Sequence, residues 1–137
     1  MKGKRVSPFV LLVVVLVLAT LACNFSASTA NITNAHMATD ESDATQTTVY
    51  SPSTPTFFCF YDLNNASADT VVRGVWTLVS AEGYDANSEI DSAEITGGDD
   101  SYFFSLDRAE DAWPVGQYKI ELYINNNLVE TVEFQVQ

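Results

Sequence analysis

Basic residues are scarce in this 137-residue chain, where six Lys and Arg stand against 18 Asp and Glu. Three of the six, Lys2, Lys4 and Arg5, lie at the extreme N-terminus, and none follows until Arg73. Such a chain repels phosphate backbones and has few cationic groups with which to displace counterions, so no nucleic-acid partner is expected. Histidine occurs once, at His36, and cysteine twice, at Cys23 and Cys59. Beyond position 55 there is no histidine, and no G-x-S-x-G, H-E-x-x-H, P-loop or dinucleotide glycine pattern. Two carboxylates can in principle act as a glycosidase pair, but nothing in the spacing singles out two among 18. No catalytic residue is expected. Asp85, Asn87, Glu89 and Asp91 recur every second residue like the start of a calcium loop, yet Ile90 stands where the sharp turn needs glycine and Thr96 where a bidentate Glu is needed. These side chains read as the solvated face of a strand, and neither metal nor cofactor is expected.

Long apolar runs are limited to one, Phe9–Leu18 (FVLLVVVLVL), preceded by the three N-terminal cations and followed by Ala19-Thr20-Leu21-Ala22. That is the tripartite pattern of an export signal. From Phe9 to Ala22 there are 14 residues, short of the roughly 18–20 that span the hydrocarbon core. Residues 1–22 are therefore read as a signal peptide. Leu21-Ala22-Cys23 at its end resembles a bacterial lipobox. The resemblance implies that the Cys23 thiol receives a diacylglyceryl group, that the chain is cut just before it, and that the new amine is acylated, with palmitate as a typical chain. Two or three acyl chains hold a protein at a membrane where one is marginal. The expected location is extracytoplasmic, lipid-anchored to the bacterial cell membrane, with the membrane as a partner through the N-terminal lipid. The alternative is an ordinary secretory signal cut at Ser28-Thr29-Ala30.

Between Asn24 and Thr56 the composition changes, with 13 of 33 residues Ser or Thr, no Lys or Arg, and no sustained apolar period. Residues 23–54 are expected to form a disordered tether carrying a solvated His36. At about 30 residues, a flexible tether would reach roughly 30 Å. Residues 55–137 are rich in aromatic and β-branched residues and are interrupted at short intervals by Asn, Asp and Gly. They read as all-β. The expected strands are Phe57–Tyr61, Thr70–Ser80, Glu89–Thr96, Ser101–Leu106, Gln117–Asn125 and Leu128–Val136, with one more near Thr47–Tyr50. Alternation puts Val72, Trp76 and Leu78 on one face, and Tyr118, Ile120, Leu122 and Ile124 on another. Asn125-Asn126-Asn127 suits a tight hairpin, because Asn tolerates the left-handed φ of the favoured turns. Glu130 shares the parity of Val132, Phe134 and Val136, so either the inward alternation ends before it or a bulge intervenes. About seven short strands bury their faces only by stacking as two sheets.

Trp113-Pro114-Val115-Gly116-Gln117-Tyr118, running into Lys119-Ile120-Glu121-Leu122-Tyr123, resembles the corner and penultimate strand of an immunoglobulin-like or fibronectin III-like β-sandwich. Trp76 resembles its core tryptophan. The resemblance implies that the Tyr118 hydroxyl bonds back to the preceding loop. It also implies that Ile120 stands where antibody domains carry their second cysteine. Cys59, in Phe57-Phe58-Cys59-Phe60-Tyr61 with no cation nearby, is expected to be a buried, inert thiol. Phe103 and Tyr123 fall on the parity opposite to their strands' core faces, which makes them the candidate ligand-binding residues. The expected function is an anchored, non-catalytic binding or spacer module with an envelope protein or a glycan as partner. The alternative is a carbohydrate-binding module using those outward aromatics.

Overall fold

The computed structural model describes residues 28–137, so the expected signal peptide and Cys23 lie outside the described residues. Eight strands follow in chain order: β1 Asn31–Ala38, β2 Val49–Tyr50, β3 Thr56–Asn64, β4 Val71–Ala81, β5 Ser88–Thr96, β6 Asp100–Asp107, β7 Gly116–Ile124 and β8 Asn127–Val136. They form a three-stranded sheet, β1-β3-β6, and a five-stranded sheet, β2-β8-β7-β4-β5. All pairings are antiparallel except that of β2 with β8. The two inner faces enclose one core.

Each core strand buries every second residue, as a half-covered pleated strand must. In β3 these are Phe57, Cys59, Tyr61 and Leu63, in β4 Val72, Trp76 and Leu78, and in β7 Tyr118, Ile120, Leu122 and Ile124. The parities expected for β4, β6 and β7 hold. Gly74 interrupts the β4 row because Phe104 of the opposite sheet lies over it, and a Cβ there would meet the ring at 2.8 Å. The outer face of β4 is less open than alternation alone predicts. Val75 and Thr77 are also buried, since β4 runs between β5 and β7 and the neighbouring side chains close over it.

The C-terminal hairpin turns at Asn125 and Asn126, both with positive φ (46° and 69°). Its register shifts between Leu122 and Tyr123, so the bulge lies between the turn and Glu130. Glu130 keeps the inward parity, opposite Leu122, but is exposed. The inward alternation thus ends at Val132 and the bulge follows.

The Tyr118 hydroxyl donates to the Pro114 carbonyl at 2.7 Å, the corner implied by the sequence. Tyr102 repeats the device at the start of β6, donating to Gly98 O at 2.9 Å. Gly97 makes room for it: a Cβ there would sit 2.2 Å from the Tyr102 hydroxyl.

The expected disordered tether over 23–54 requires correction for its described part. Asn31–Ala38 is a strand paired with β3, and Met37 and Ala38 are buried. Residues 39–47 form a loop closed by Thr39 N–H to Thr45 O and Thr47 N–H to Met37 O. Within it, the Asp40 carboxylate accepts the Ser42 and Ala44 N–H groups. The Ser/Thr-rich composition conceals this because β1 buries only its last turnward residues and bulges between Thr33 and His36, which breaks the alternation. Pairing with β3 supplies what local pattern lacks.

Trp76→Ala is expected to cost about 3–5 kcal/mol, because the indole lies wholly inside the sandwich. Tyr118→Phe, which removes only the corner hydrogen bond, is expected to cost about 1 kcal/mol. Urea denaturation midpoints of the two variants check both values. Equal losses would show that the corner hydrogen bond counts for as much as the buried indole.

Candidate functional site

The two aromatic residues expected to act together are separated by the whole thickness of the sandwich. Phe103 lies on the outer face of the three-stranded sheet, in β6, and Tyr123 on the outer face of the five-stranded sheet, in β7. A single platform using both is therefore impossible. Phe103 stands against Phe60 at 5.3 Å and Phe58 at 5.9 Å between ring centroids, and His36 stacks on Phe60 at 5.9 Å. All four are half-buried, each shielding the next. Tyr123 is covered by the Arg73 guanidinium, 4.5 Å above its ring, a cation–π contact that occupies the face a ligand would use.

His36 is not the solvated residue expected of a tether. Its Nδ1 lies 2.7 Å from Asn34 O and its Nε2 2.8 Å from Asp43 Oδ1. Both ring nitrogens are thereby committed to structure.

Several acidic side chains hold loops and edges. Asp99 accepts the Ala66 N–H at 2.7 Å, and Asp91 and Asp100 each accept the N–H of the following serine at 2.8 Å. Among the described residues, no group of three or more His, Cys, Asp or Glu is arranged to hold a metal ion.

Cys59 is fully buried on β3 between the sheets. Burial pushes its thiol up to about 12, since the thiolate would lose its hydration with no cation to replace it. Ile120 stands on the facing sheet, also fully buried.

The cavity that sequence reasoning missed is at the pole of the sandwich opposite Asn31. It is an apolar pocket of about 260 Å³ with Trp113, Tyr118 and Leu78 in its floor and Tyr84, Ile90 and Arg108 at its rim. The 108–115 loop is fixed there by side-chain contacts to residues 53–57. Trp113 Nε1 donates to Thr54 O at 2.8 Å, its ring stacks on Phe57 at 4.3 Å, and Arg108 donates to Ser53 O. Tyr84 is 55 % exposed in the β4–β5 turn, and a large aromatic among the small polar residues of that turn was the one signal available.

No protein-family model matches the chain, and no curated protein sequence matches it. Among solved structures, an immunoglobulin-like protein from Pseudomonas aeruginosa superposes with a TM-score of 0.53 at 16 % identity, over 82 % of this chain and 99 % of that one. An alkylpurine DNA glycosylase, AlkC, from Pseudomonas fluorescens, determined bound to DNA containing an abasic site analog, gives 0.53 at 11 % identity. That match covers 81 % of this chain but 31 % of the glycosylase, so the chain spans about a third of its length. These likenesses show the fold: an all-β, immunoglobulin-like sandwich of two sheets.

The thiol generates a prediction with a definite sign. A folded-state value raised above the unfolded one leaves Cys59 protonated where the unfolded chain has ionised, so its contribution to stability is complete below about pH 9 and falls as pH rises towards 12. Tyr118, pushed up to about 12 by burial, acts in the same direction from pH 10 upward. Urea midpoints measured from pH 7 to 11 should fall above pH 9, and Cys59→Ala should lose the earliest part of that fall. The thiol should resist maleimide in the native protein and react after denaturation. Rapid native labelling would refute its burial.

Proposed function

We propose that the protein is a membrane-anchored extracytoplasmic lipoprotein whose immunoglobulin-like domain binds or spaces another envelope component without catalysis. The observation that carries this reading is the cationic, apolar and small-residue succession ending at Cys23, followed after only residues 24–30 by the first strand of a folded domain at Asn31. A spacer of that length extends at most about 25 Å and averages about 15 Å if flexible. The domain is thus held close to its anchor, half the distance that a tether running to residue 54 would give. Residue 31 pairs with Asn64 at one pole. The pocket is at the other, about 30 Å away along nine-residue strands such as β7. The pole bearing Trp113 and Tyr84 then faces away from the membrane.

The non-catalytic reading is supported by the commitments already described: the histidine is tied to Asn34 and Asp43, the thiol is buried, and carboxylates such as Asp40 and Asp99 cap loops. The division of Phe103 and Tyr123 between opposite faces weighs against a glycan platform and in favour of a protein partner. The N-terminal peptide of protein isolated from membranes is expected to begin at Cys23 and to carry the mass of two or three acyl chains. An unmodified peptide beginning at Asn31 would overturn the anchor.

A further inference from the structure

The two sheets differ in width on one side. The three-stranded sheet ends at β6, which lies over β4 through the contact of Phe104 with Gly74. The five-stranded sheet continues by one more strand, β5. Among the described residues, no strand lies above its inward side chains. Ala93 and Asp91, paired with Gly74 and Trp76, are exposed, and Ile95 is half-covered. This uncovered strip runs into the apolar pocket at the Trp113 pole through Ile90, which is 39 % exposed.

Among the described residues, β6 is also an edge with an open backbone. Arg108 N–H donates to Pro55 O at 2.8 Å, and the β3–β6 register continues from that pair without a shift from Thr56↔Asp107 to Leu63↔Asp100. Alternation of ladder bonds then directs the N–H and C=O groups of Ser101, Phe103, Ser105 and Asp107 away from β3. Independently, the Ser101 N–H is taken by the Asp100 carboxylate, which a laddered N–H would not be free to reach. The other edges are blunted in the usual ways. β1 bulges at Asn34, which has φ 54°. β2 is two residues long. β5 shifts register beside Trp76 and carries Glu89, Asp91 and Glu94. β6 has no bulge, proline or lysine, and its carboxylates stand only at its ends, Asp100 and Asp107.

We propose that β6 is the docking edge for an extended segment of a partner protein, apolar at alternate positions and basic at both ends, which pairs with β6 as a fourth strand and roofs β5. Inward apolar side chains of that segment cover Ala93, Ile95 and Ile90. An outward aromatic meets Phe103, flanked by Phe58 and Phe60. Lysines at its ends face Asp100 and Asp107. A second copy of this chain fits poorly, because it would bring 18 further carboxylates against the same edge. The proposal rests on the reading of the domain as a binding module and not on the lipid anchor.

The test is a titration of the isotopically labelled full chain, held in detergent micelles, with the end-blocked peptide Lys-Val-Thr-Val-Tyr-Val-Thr-Lys, followed by NMR. Saturable shifts are expected at the amides of Ser101, Phe103, Ser105 and Asp107 and the methyls of Ile90 and Ile95, with cross-strand Overhauser contacts to β6. Ser105→Pro removes one outward N–H while leaving the β3 ladder intact, and should abolish these shifts with the fold retained. Should that variant unfold, the peptide N-methylated at alternate residues on the β6-facing side must lose binding to the unaltered chain. Replacing both lysines by Glu should weaken binding about tenfold at low salt, and less at high salt. Absence of shifts at β6, shifts confined to Trp113 and Tyr84, or spontaneous β6–β6 pairing without peptide would overturn the proposal. So would crosslinking of an envelope protein elsewhere on the surface, which would leave the binding reading standing. The mass of the N-terminal peptide decides the anchor separately.

Discussion

The structure depends on one cluster of rings at the far pole, with Phe57 at its centre. Phe57 is fully buried and lies within 4.3 Å of Trp113, 4.7 Å of Tyr50, 4.9 Å of Phe134 and 6.0 Å of Tyr118, measured between ring centroids. Those five residues come from β3, the β6–β7 loop, β2, β8 and β7, so a single cluster ties both sheets to the segment that links them. Tilted, edge-on and stacked pairs all occur in it, each adding about 0.5–1.5 kcal/mol beyond the area buried. Its consequences reach the backbone. Trp113 clamps residues 52–54 through the Pro52 and Thr54 carbonyls, and the Tyr50 hydroxyl donates to Ala38 O at 2.8 Å. The loop that walls the pocket and the end of β1 are thus held by the same rings.

The sequence was most legible where alternation is strict and side chains are large. β7, with Tyr118, Ile120, Leu122 and Ile124 inward, and its hairpin partner β8 could be placed from the pattern and from three consecutive asparagines. The tyrosine corner and the core place of Trp76 were implied by the resemblance to an immunoglobulin-like sandwich, and the burial of Cys59 by its aromatic strand context without a neighbouring cation. β1 was hidden for a physical reason. Its inward residues are small or few, its bulge at Asn34 shifts the parity midway, and its stability comes from pairing with β3. Composition measures how much apolar surface a segment can bury, and β1 buries little of its own.

The candidate site was less legible because exposure depends on which strands lie side by side. Parity correctly placed Phe103 and Tyr123 outward, yet parity carries no information about which sheet a strand joins. Three strands stack over five, and this count decides where surface is left uncovered. Ala93 and Ile95 lie on β5 opposite the inward residues Gly74 and Val72, on the parity of Glu89 and Asp91 that the sequence reads as solvated. Only the absence of a strand beyond β6, among the described residues, turns them into a strip open to solvent.

Charge and edge protection meet in the same arrangement. A strand edge left unpaired invites association between copies, and proteins commonly place lysine or proline there. This chain has few lysines to use and relies on carboxylates, which protect β5 along its length through Glu89, Asp91 and Glu94 but protect β6 only at its ends. Net negative charge suppresses pairing between identical copies at long range, so the middle of β6 can stay open without self-association. The same charge does not repel a basic segment; it draws one in. An acidic domain with one uncharged stretch of open edge is therefore protected against itself while remaining accessible to a cationic strand.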